Sequence, residues 1–261
     1  MKYYVVSDVH GFYDEFRIAL ATQGYFSDTE PHKLILCGDI YDRGKQVAEL
    51  QNFILDLMEK DEVILIRGNH EDLMLDLLDE WDMCSYKDDI NISNGTVCTA
   101  LQLTDFTLLD LKANPDEIKT KLSQDLFITK IIPNMVDYYE TENYIFVHGW
   151  IPCTPIVYAR QKGRFVYKYI YNENWREADE TEWDKARWIN GMEAAHCGVT
   201  EPNKTIVCGH WHCSFGHSNY EGNGGEFDND SDFSPYFADG IIAIDACTAF
   251  SDRVNCIVIE D

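Results

Sequence analysis

The feature that most constrains the fold is a succession of short β-prone segments that alternate with helical ones. Apolar runs rich in Val, Ile, Leu and Tyr occur at 3–6, 34–37, 63–66, 144–147, 205–208 and 241–244. Each run is too short for a helix and has the composition of a strand. Residues 13–22, 46–60 and 71–81 carry apolar side chains every three to four positions, which predicts helices. Strands that alternate with helices indicate an α/β fold.

Polar residues are concentrated where the predicted strands end. Five of the six runs lead, at once or within two residues, into a cluster of glycine, histidine, aspartate or asparagine: Asp8-Val9-His10, Gly38-Asp39, Gly68-Asn69-His70-Glu71, His148-Gly149 and Gly209-His210-Trp211-His212. In an open α/β sheet the carboxyl ends of the strands converge on one crevice, where ligands bind. The sequence therefore predicts that these distant residues meet at one site.

Each cluster alone also has a structural interpretation. An Asp-x-His or Gly-Asn-His sequence after a strand is typical of a tight turn, and a single histidine often only forms hydrogen bonds. Those interpretations give no reason for the pattern to recur after five strands. Carboxylate, imidazole and amide groups are ligands for Mn, Fe, Zn, Co or Mg. No cysteine lies within the clusters, which argues against a zinc–thiolate site.

Charge and cysteine content restrict the partners and the location. The formal net charge is −25, so the surface repels nucleic acid and anionic membranes, and we expect neither as a partner. Nine cysteines without a CxxC pair indicate reduced thiols. No apolar run approaches membrane-spanning length, and a first cluster at Asp8 leaves no room for a signal peptide. These features together predict a cytoplasmic protein.

Taken together, the clusters resemble those of the calcineurin-like metallophosphoesterases. Residues 8–11 (DVHG), 38–44 (GDIYDRG), 68–71 (GNHE), 148–149 (HG) and 209–210 (GH) have the order and approximate spacing of that family. GDxxDRG and GNHE are similar to the phosphoprotein-phosphatase branch, which includes bacterial Ser/Thr phosphatases and symmetrical dinucleoside-tetraphosphatases. The resemblance implies an α/β fold of two packed mixed β-sheets flanked by helices, the metallophosphoesterase sandwich. We expect one domain over residues 1–261, with a motif-free helical cap insertion at about 82–137.

The resemblance also implies a cofactor of two adjacent divalent metal ions. It assigns Asp8 and His10 to one ion, Asn69, His148 and His210 to the other, and Asp39 to both as a bridge. The same ligands accept Mn, Fe, Zn, Co or Mg, so the identity of the metal stays open.

His212 marks a departure from the phosphoprotein-phosphatase branch, which usually lacks a histidine at this position. Together with His210 it matches the GHxH form of many metallophosphoesterases, in which the second histidine completes the first ion. Alternation of side chains along a strand would place both histidines on one face. This favours a ligand role for His212 over a simple hydrogen bond in a loop. The His-Gly-Gly sequence common in that branch is also altered here, to His148-Gly149-Trp150.

By the same resemblance, three residues carry the chemistry besides the metal ligands. His70 is the general acid for the departing alkoxide, and Asp42 holds its imidazole in the right tautomer. Arg43 is a planar, always-charged fork for the phosphate oxygens, which Asn69 also contacts.

A second phosphate-binding arginine is expected between the last two metal motifs. The candidates are Arg160, Arg164, Arg176 and Arg187. We select Arg187, because the aromatic residues Trp183 and Trp188 flank it and could fix a guanidinium beside a cleft. A structural salt bridge is the competing interpretation for this residue.

The implied activity is hydrolysis of phosphate esters by two-metal, in-line attack of a bridging hydroxide. The first hypothesis is a phosphomonoesterase similar to Ser/Thr protein phosphatases, whose partner is a phosphorylated protein or small molecule. The alternative is a dinucleoside-polyphosphate hydrolase. A non-catalytic scaffold with this fold is a third hypothesis, which the retention of every ligand together with Arg43 and His70 disfavours.

Overall fold

The computed structural model describes residues 1–81, 90–161 and 164–261, and the side chains of residues 90, 159–161 and 164–166 are outside this description. The strands are β1 (Lys2–Val6), β2 (His32–Cys37), β3 (Val63–Ile66), β4 (Tyr139–Glu140), β5 (Tyr144–Phe146), β6 (Cys153–Gln161), β7 (Arg164–Tyr171), β8 (Thr205–Cys208), β9 (Tyr236–Ala238), β10 (Ile241–Ala243) and β11 (Cys256–Glu260). The α-helices are α1 (Tyr13–Thr22), α2 (Val47–Glu59), α3 (Asn69–Glu80), α4 (Ile90–Ser93), α5 (Thr96–Thr104), α6 (Pro115–Gln124), α7 (Glu180–Arg187), α8 (Gly191–His196), α9 (Cys213–Gly216) and α10 (Thr248–Ser251). Turns of 3₁₀ or π helix lie at Tyr25–Ser27, Phe127–Ile131, Ile132–Asn134, Trp175–Glu177 and His217–Glu221.

Two mixed sheets form the centre of the fold. The first has the strand order β11-β1-β2-β3, in which β1, β2 and β3 are parallel and β11 is antiparallel to β1. The second has the order β4-β5-β8-β10-β9, in which β5, β8 and β10 are parallel and both edge strands are antiparallel. Helices pack on the outer face of each sheet. The predicted α/β fold of two mixed sheets flanked by helices is confirmed.

Side-chain alternation explains why the strands are apolar throughout. Along β1, Tyr4 and Val6 point into a core shared with α1 and α2, whereas Tyr3 and Val5 point into a core between the two sheets. Strand β8 alternates in the same way between the inter-sheet core and a third core that includes residues of α7 and α8. Strands buried on both faces read as continuous apolar runs, which is the pattern in the sequence.

The six predicted strands and three predicted helices are present, and their ends agree within two residues. The sequence did not predict the separate antiparallel ribbon of β6 and β7. Ile156, Val157 and Tyr158 of β6 are consecutive apolar residues that are all exposed, so this stretch lacks the alternation of apolar and polar residues that signals a half-buried strand. In β7, Tyr169 and Tyr171 pack against the third core.

The segment predicted as a helical cap begins within residues 82–89, which lie outside the described residues. Its helices α5 and α6 pack into the first core through Ala100, Leu101, Ile118 and Leu122. Helix α5 also contacts α2 and α3, so this segment forms part of the main body of the fold. Its role as a cap over the cleft stays a prediction.

The thiols and helices bear on two further expectations. The cysteines within the described ranges are free, and four of them are buried: Cys37, Cys208, Cys213 and Cys256. Burial raises the pKa of the Cys37 thiol well above its usual range, which keeps it protonated. Within the described residues, no helix is both long enough and apolar enough to cross a membrane.

Candidate metal centre

The loops that follow β1, β2, β3, β5 and β8 bring the five polar clusters together. Asp39 lies at the centre, with its carboxylate 3.3 Å from Nε2 of His148 and 3.8 Å from Nε2 of His10. The backbone N–H of His210 donates to Asp8 Oδ2 at 3.0 Å, which joins the last cluster to the first. The expected convergence at the carboxyl ends of the strands is therefore present.

Much of the backbone at this site is left-handed, a conformation that residues other than glycine rarely adopt. Positive φ angles between 51° and 75° occur at Asp8, His10, Asp39, Asp42, Arg43 and His210. Hydrogen bonds hold the loops in place: the His10 N–H donates to the Asp39 carbonyl at 3.0 Å, and the Asp39 N–H donates to Glu71 Oε2 at 3.0 Å. Strained backbone of this kind clusters at functional sites, where the surrounding structure enforces it.

Two overlapping groups of donor atoms lie close enough together to hold metal ions. Within each group, one ligand atom from every residue lies within 4.8 Å of the others. The first group is His10, Asp39 and His70, and the second is Asp39, His148 and His210. Asn69 adds an amide oxygen beside the second group, because its Oδ1 lies 2.8 Å from His148 Nε2. Asp39 belongs to both groups, as a bridging ligand must.

Backbone carbonyls fix two of the imidazoles in the tautomer that coordinates metal. His10 Nδ1 donates to the carbonyl of Tyr41 at 2.7 Å, and His148 Nδ1 donates to the carbonyl of Cys37 at 2.8 Å. A carbonyl can only accept, so each Nδ1 carries the proton and each Nε2 keeps its lone pair. Both Nε2 atoms face Asp39, and an outer hydrogen bond of this kind orients ligand histidines in metal sites.

Burial keeps these imidazoles neutral. Burial lowers the pKa of His10, with the charge of Arg43 adding to the effect, and burial lowers the pKa of His148. Burial and the neighbouring His148 lower the pKa of His210 to about 3. Nε2 of His210 is buried and has no hydrogen-bond partner among the described residues, a costly state for a polar atom. Neutral rings that keep a lone pair on one nitrogen fit a divalent ion.

Asp8 is next to these groups but belongs to neither. Its Oδ2 accepts hydrogen bonds from the Ser7 hydroxyl and from the His210 N–H. Burial, reinforced by the charges of Asp245 and Asp39, raises the pKa of Asp8 well above its usual range. A buried carboxylate beside others is relieved by a bound cation, so Asp8 as a ligand stays a prediction.

His212 is also outside both groups. Its Nε2 lies 2.9 Å from Glu226 Oε1, and its ring lies 4.4 Å from that of Phe227. The premise that His210 and His212 alternate along one strand is wrong, because β8 ends at Cys208 and the chain turns left-handed at His210. The ligand role of His212 stays a prediction, without that premise.

His70, a member of the first donor group, forms a hydrogen-bonded pair with Asp42. Asp42 Oδ2 accepts from His70 Nδ1 at 2.6 Å, and His70 Nε2 lies 3.7 Å from the Asp39 carboxylate. Burial lowers the pKa of His70, but Asp39 and Asp42 outweigh it, and the pKa lies above its ordinary value. Nη1 of Arg43 lies 2.9 Å from His10 Nε2, and Nη2 lies 3.4 Å from His70 Nε2. The structure thus gathers the predicted acid, its carboxylate and the guanidinium.

Arg187 is buried close to the site, but two carboxylates occupy its guanidinium. Nη1 donates to Asp72 Oδ2 at 2.9 Å, and Nη2 donates to Asp137 Oδ1 at 2.6 Å. The competing interpretation, a structural salt bridge, therefore describes its placement. Its role as a phosphate ligand stays a prediction. Of the other candidates, Arg160 and Arg164 have side chains outside the described residues.

Sequence reasoning assigned no role to Glu71, which connects two of the motif loops. Its carboxylate accepts the backbone N–H groups of Asp39, Ile40 and Gly68 at 3.0, 3.0 and 2.7 Å. Burial, reinforced by Asp39, raises the pKa of Glu71 to about 7. An acidic residue directly after the Gly-Asn-His turn was a visible signal, but its long-range partners were not.

Asp245 is a second residue that the sequence analysis missed. It follows β10, the one predicted strand for which no polar cluster was recognised, and it is buried. Its Oδ1 accepts the Cys247 N–H at 2.7 Å, while burial raises its pKa to about 6. The rule that located the other clusters, a polar residue at the carboxyl end of a strand, also applies to Asp245.

The profile of the calcineurin-like phosphoesterase family matches residues 1–214 of the chain. The chain belongs to this family. The bis(5′-nucleosyl)-tetraphosphatase (asymmetrical) of Bacillus subtilis is 26% identical over 215 residues, which are 78% of this chain and 82% of the relative. The symmetrical bis(5′-nucleosyl)-tetraphosphatase of Buchnera aphidicola is 38% identical over 71 residues, 27% of this chain and 24% of the relative. A cold-active protein-tyrosine phosphatase of Shewanella shares the fold, with a TM-score of 0.55, 18% identity, and coverage of 100% of this chain and 75% of that one.

Family membership gives the class of chemistry. The chain is a metal-dependent hydrolase of phosphate esters, and the predicted family and enzyme class are confirmed. Its cofactor is a dinuclear divalent metal centre, which the two donor groups sharing Asp39 fit. These donors do not select among Mn, Fe, Zn, Co and Mg.

Proposed function

We propose that the chain is a phosphomonoesterase for esters of alcohols, such as phosphoserine and phosphothreonine side chains. The observation that carries the proposal is the buried hydrogen bond of 2.6 Å between His70 Nδ1 and Asp42 Oδ2. An alkoxide is a poor leaving group and needs a proton in the transition state, whereas a polyphosphate leaves without one. An imidazole held by a carboxylate beside the donor groups is suited to supply that proton.

The proposed ligands divide between two ions that share Asp39. Asp8, His10 and His212 would hold the first ion, and Asn69, His148 and His210 would hold the second. Two divalent ions bound there would supply Lewis-acid activation of water and of the phosphate oxygens. The carbonyls of Tyr41 and Cys37 set the ring orientation of their histidine partners, so these ligands need little reorganisation on binding.

His70 and Arg43 act on the substrate in this proposal. Asp42 accepts the proton on His70 Nδ1, and in the imidazolium form the second proton, on Nε2, is the one that passes to the leaving oxygen. Arg43 lies beside His10 and His70, where its guanidinium can donate in a fork to two phosphate oxygens. The fixed positive charge favours the phosphate before and during the displacement. Asn69, which lies beside His148, would contact the same phosphate.

Hydrolysis of dinucleoside polyphosphates is the second candidate, and two observations favour it. The relatives from Bacillus subtilis and Buchnera aphidicola are named for that activity. In addition, Trp188 is 43% exposed with its ring 5.8 Å from that of His210. Phe227 and Phe250 are more than half exposed and their rings lie 5.7 Å apart. Exposed aromatic rings near a phosphate site can stack on nucleobases, each worth about 1–3 kcal/mol.

The test compares a phosphoserine peptide with diadenosine tetraphosphate, both with Mn²⁺ supplied. The phosphomonoesterase proposal predicts turnover of the peptide and a loss of about 100-fold or more in His70→Gln, the usual range for general acid catalysis. Turnover of the dinucleotide alone, with little effect of His70→Gln, would refute it and establish the second candidate. Absence of turnover with both substrates would refute both candidates.

Trp188→Ala separates the two candidates further. The variant should raise KM for the dinucleotide and leave KM for the peptide unchanged. Phe26→Ala is the matched control, because Phe26 is 45% exposed and precedes the start of β2, away from the carboxyl ends of the strands. Equal effects of the two variants would exclude stacking on Trp188.

A further inference from the structure

The turn that carries Asp42 is held from outside by helix α5, a part of the chain to which the sequence assigned no chemistry. Helix α5 begins after Gly95, whose φ is 95°. A Cβ at Gly95 would lie 2.5 Å from the backbone N of Arg43, so glycine allows helix and turn to approach this closely. Toward the other end of the helix, Gln102 Nε2 donates to the carbonyl of Gly44 at 3.0 Å. The helix therefore supports the whole turn at 42–44.

Two threonines of α5 contact Asp42 itself. Thr96 Oγ1 donates to Asp42 Oδ2 at 2.7 Å, and the Asp42 N–H donates to Thr99 Oγ1 at 3.1 Å. Both threonines are 0% exposed, so their hydroxyl groups have left water to make these bonds. The same Oδ2 accepts from His70 Nδ1 at 2.6 Å. One carboxylate oxygen of Asp42 thus accepts two hydrogen bonds, one from the imidazole of His70 and one from the Thr96 hydroxyl.

Asp42 requires this support for two reasons. Its φ of 75° is left-handed, a strained conformation that persists only where the surroundings enforce it. The terminal torsion of an aspartate is also broad, so one hydrogen bond leaves the carboxylate free to rotate. The Thr96 hydroxyl is a second donor to Oδ2 and limits rotation of the carboxylate. The Thr99 hydroxyl accepts the Asp42 N–H and holds the strained backbone in place.

We propose that Thr96 and Thr99 are positioning residues that fix the Asp42 carboxylate and, through it, the imidazole of His70. The inference rests on the proposed function, in which His70 delivers a proton to the leaving group. It gives the motif-free segment a specific part in the reaction, through a contact between residues 54 positions apart.

A third threonine of the same helix provides the control. Thr104 is 3% exposed, and its Oγ1 donates to the carbonyl of Ala100 at 2.7 Å, a bond within the helix. Replacement of threonine by valine keeps the shape and removes the hydroxyl. Thr96→Val and Thr104→Val therefore make the same chemical change in the same helix, and Thr96→Ser retains the hydroxyl at the proposed position.

The first experiment measures kcat/KM for two aryl phosphates with Mn²⁺ supplied. Phenyl phosphate has a more basic leaving group than 4-nitrophenyl phosphate and depends more on protonation. Thr96→Val should lower kcat/KM for phenyl phosphate by about 10-fold or more and for 4-nitrophenyl phosphate by less than about 3-fold, a part of the effect of a general acid. Thr96→Ser should restore both values, and Thr104→Val should change neither. Equal losses with both substrates in Thr96→Val would overturn the inference.

The second experiment does not depend on turnover. In the chelated protein, the NMR resonance of the His70 Nδ1 proton, assigned by its loss in His70→Gln, reports the bond to Asp42. Thr96→Val should shift or broaden this resonance, whereas Thr96→Ser and Thr104→Val should preserve it. An unchanged resonance in Thr96→Val contradicts the inference even if the proposed function holds. The expected NMR pattern without turnover of any phosphomonoester supports the positioning and refutes the function. Thr96→Ala replaces Thr96→Val in both experiments if the valine variant does not fold.

Discussion

The loop of Asp39 depends on Glu71, and the loss of that carboxylate should be measurable as lost stability. Glu71→Ala would strip three buried N–H groups, those of Asp39, Ile40 and Gly68, of their acceptor. Each unsatisfied group costs about 1–3 kcal/mol, or roughly 6 kcal/mol for the three. The variant also removes a buried carboxylate whose pKa is raised to about 7. Loss of this unfavourable charge stabilises the folded state by about 3 kcal/mol at neutral pH. The net expectation is a loss of about 3 kcal/mol.

Urea denaturation at neutral pH with metal chelated, followed by tryptophan fluorescence, measures this loss. Glu80→Ala is the matched control, because Glu80 lies at the exposed end of the same helix α3. It should change the free energy of unfolding by less than about 0.5 kcal/mol. If Glu71→Ala cost no more than Glu80→Ala, the three hydrogen bonds would not hold the two motif loops together.

Three further predictions concern the proposed metal ligands. Asp39→Asn should lose both ions on dialysis and lower turnover by more than about 100-fold, as metal analysis and kinetics would show; retention of two ions excludes the bridge. His212→Ala should lose mainly the first ion, and an unchanged content of two ions means that His212 is not a ligand. With metal chelated, the stability of the wild type relative to His210→Gln should fall by about 2 kcal/mol from pH 7 to pH 5, since the folded pKa of about 3 lies below the unfolded value of about 6.5. No change across that window refutes a buried neutral imidazole.

The sign of the pH effect follows from which state takes up protons. His210 stays neutral in the folded chain down to about pH 3, while the unfolded chain binds a proton below about 6.5. Acidification therefore favours unfolding. The contribution of neutral His210 to the free energy of unfolding is fully present above the unfolded pKa and is lost as the pH falls below it. Glu71 and Asp245, whose pKa values are raised, act in the opposite direction over part of the same range. The comparison with His210→Gln isolates the histidine from them.

The sheets and the convergence of the clusters could be predicted because both rest on local signals. A strand buried on both faces must be apolar, and a parallel strand must deliver its carboxyl end to a shared edge. The ion-pair partners of Arg187 could not be predicted, because Asp72 and Asp137 are 115 and 50 positions away in the sequence. The same applies to Thr96 and Asp42, which no periodicity connects.

The error about His212 has a different origin. The strand pattern was extended past Cys208, although the chain leaves the sheet there and His210 adopts φ 64°. A histidine with a left-handed backbone conformation is uncommon, and neither secondary-structure propensity nor hydropathy predicts it. Gly209, which precedes it, was the one local sign that the strand had ended. Asp245 was missed for the converse reason, because a single carboxylate after β10 did not resemble a cluster.

The central claim is that Asp39 bridges two divalent ions held by the gathered clusters. Anomalous diffraction from crystals grown with Mn²⁺ tests it most directly, since it locates the ions and their ligands without any assumption about substrate. We expect two manganese peaks on either side of Asp39, one next to His10 and the other next to His148 and His210. A single peak, or two peaks that do not share Asp39, would contradict the account.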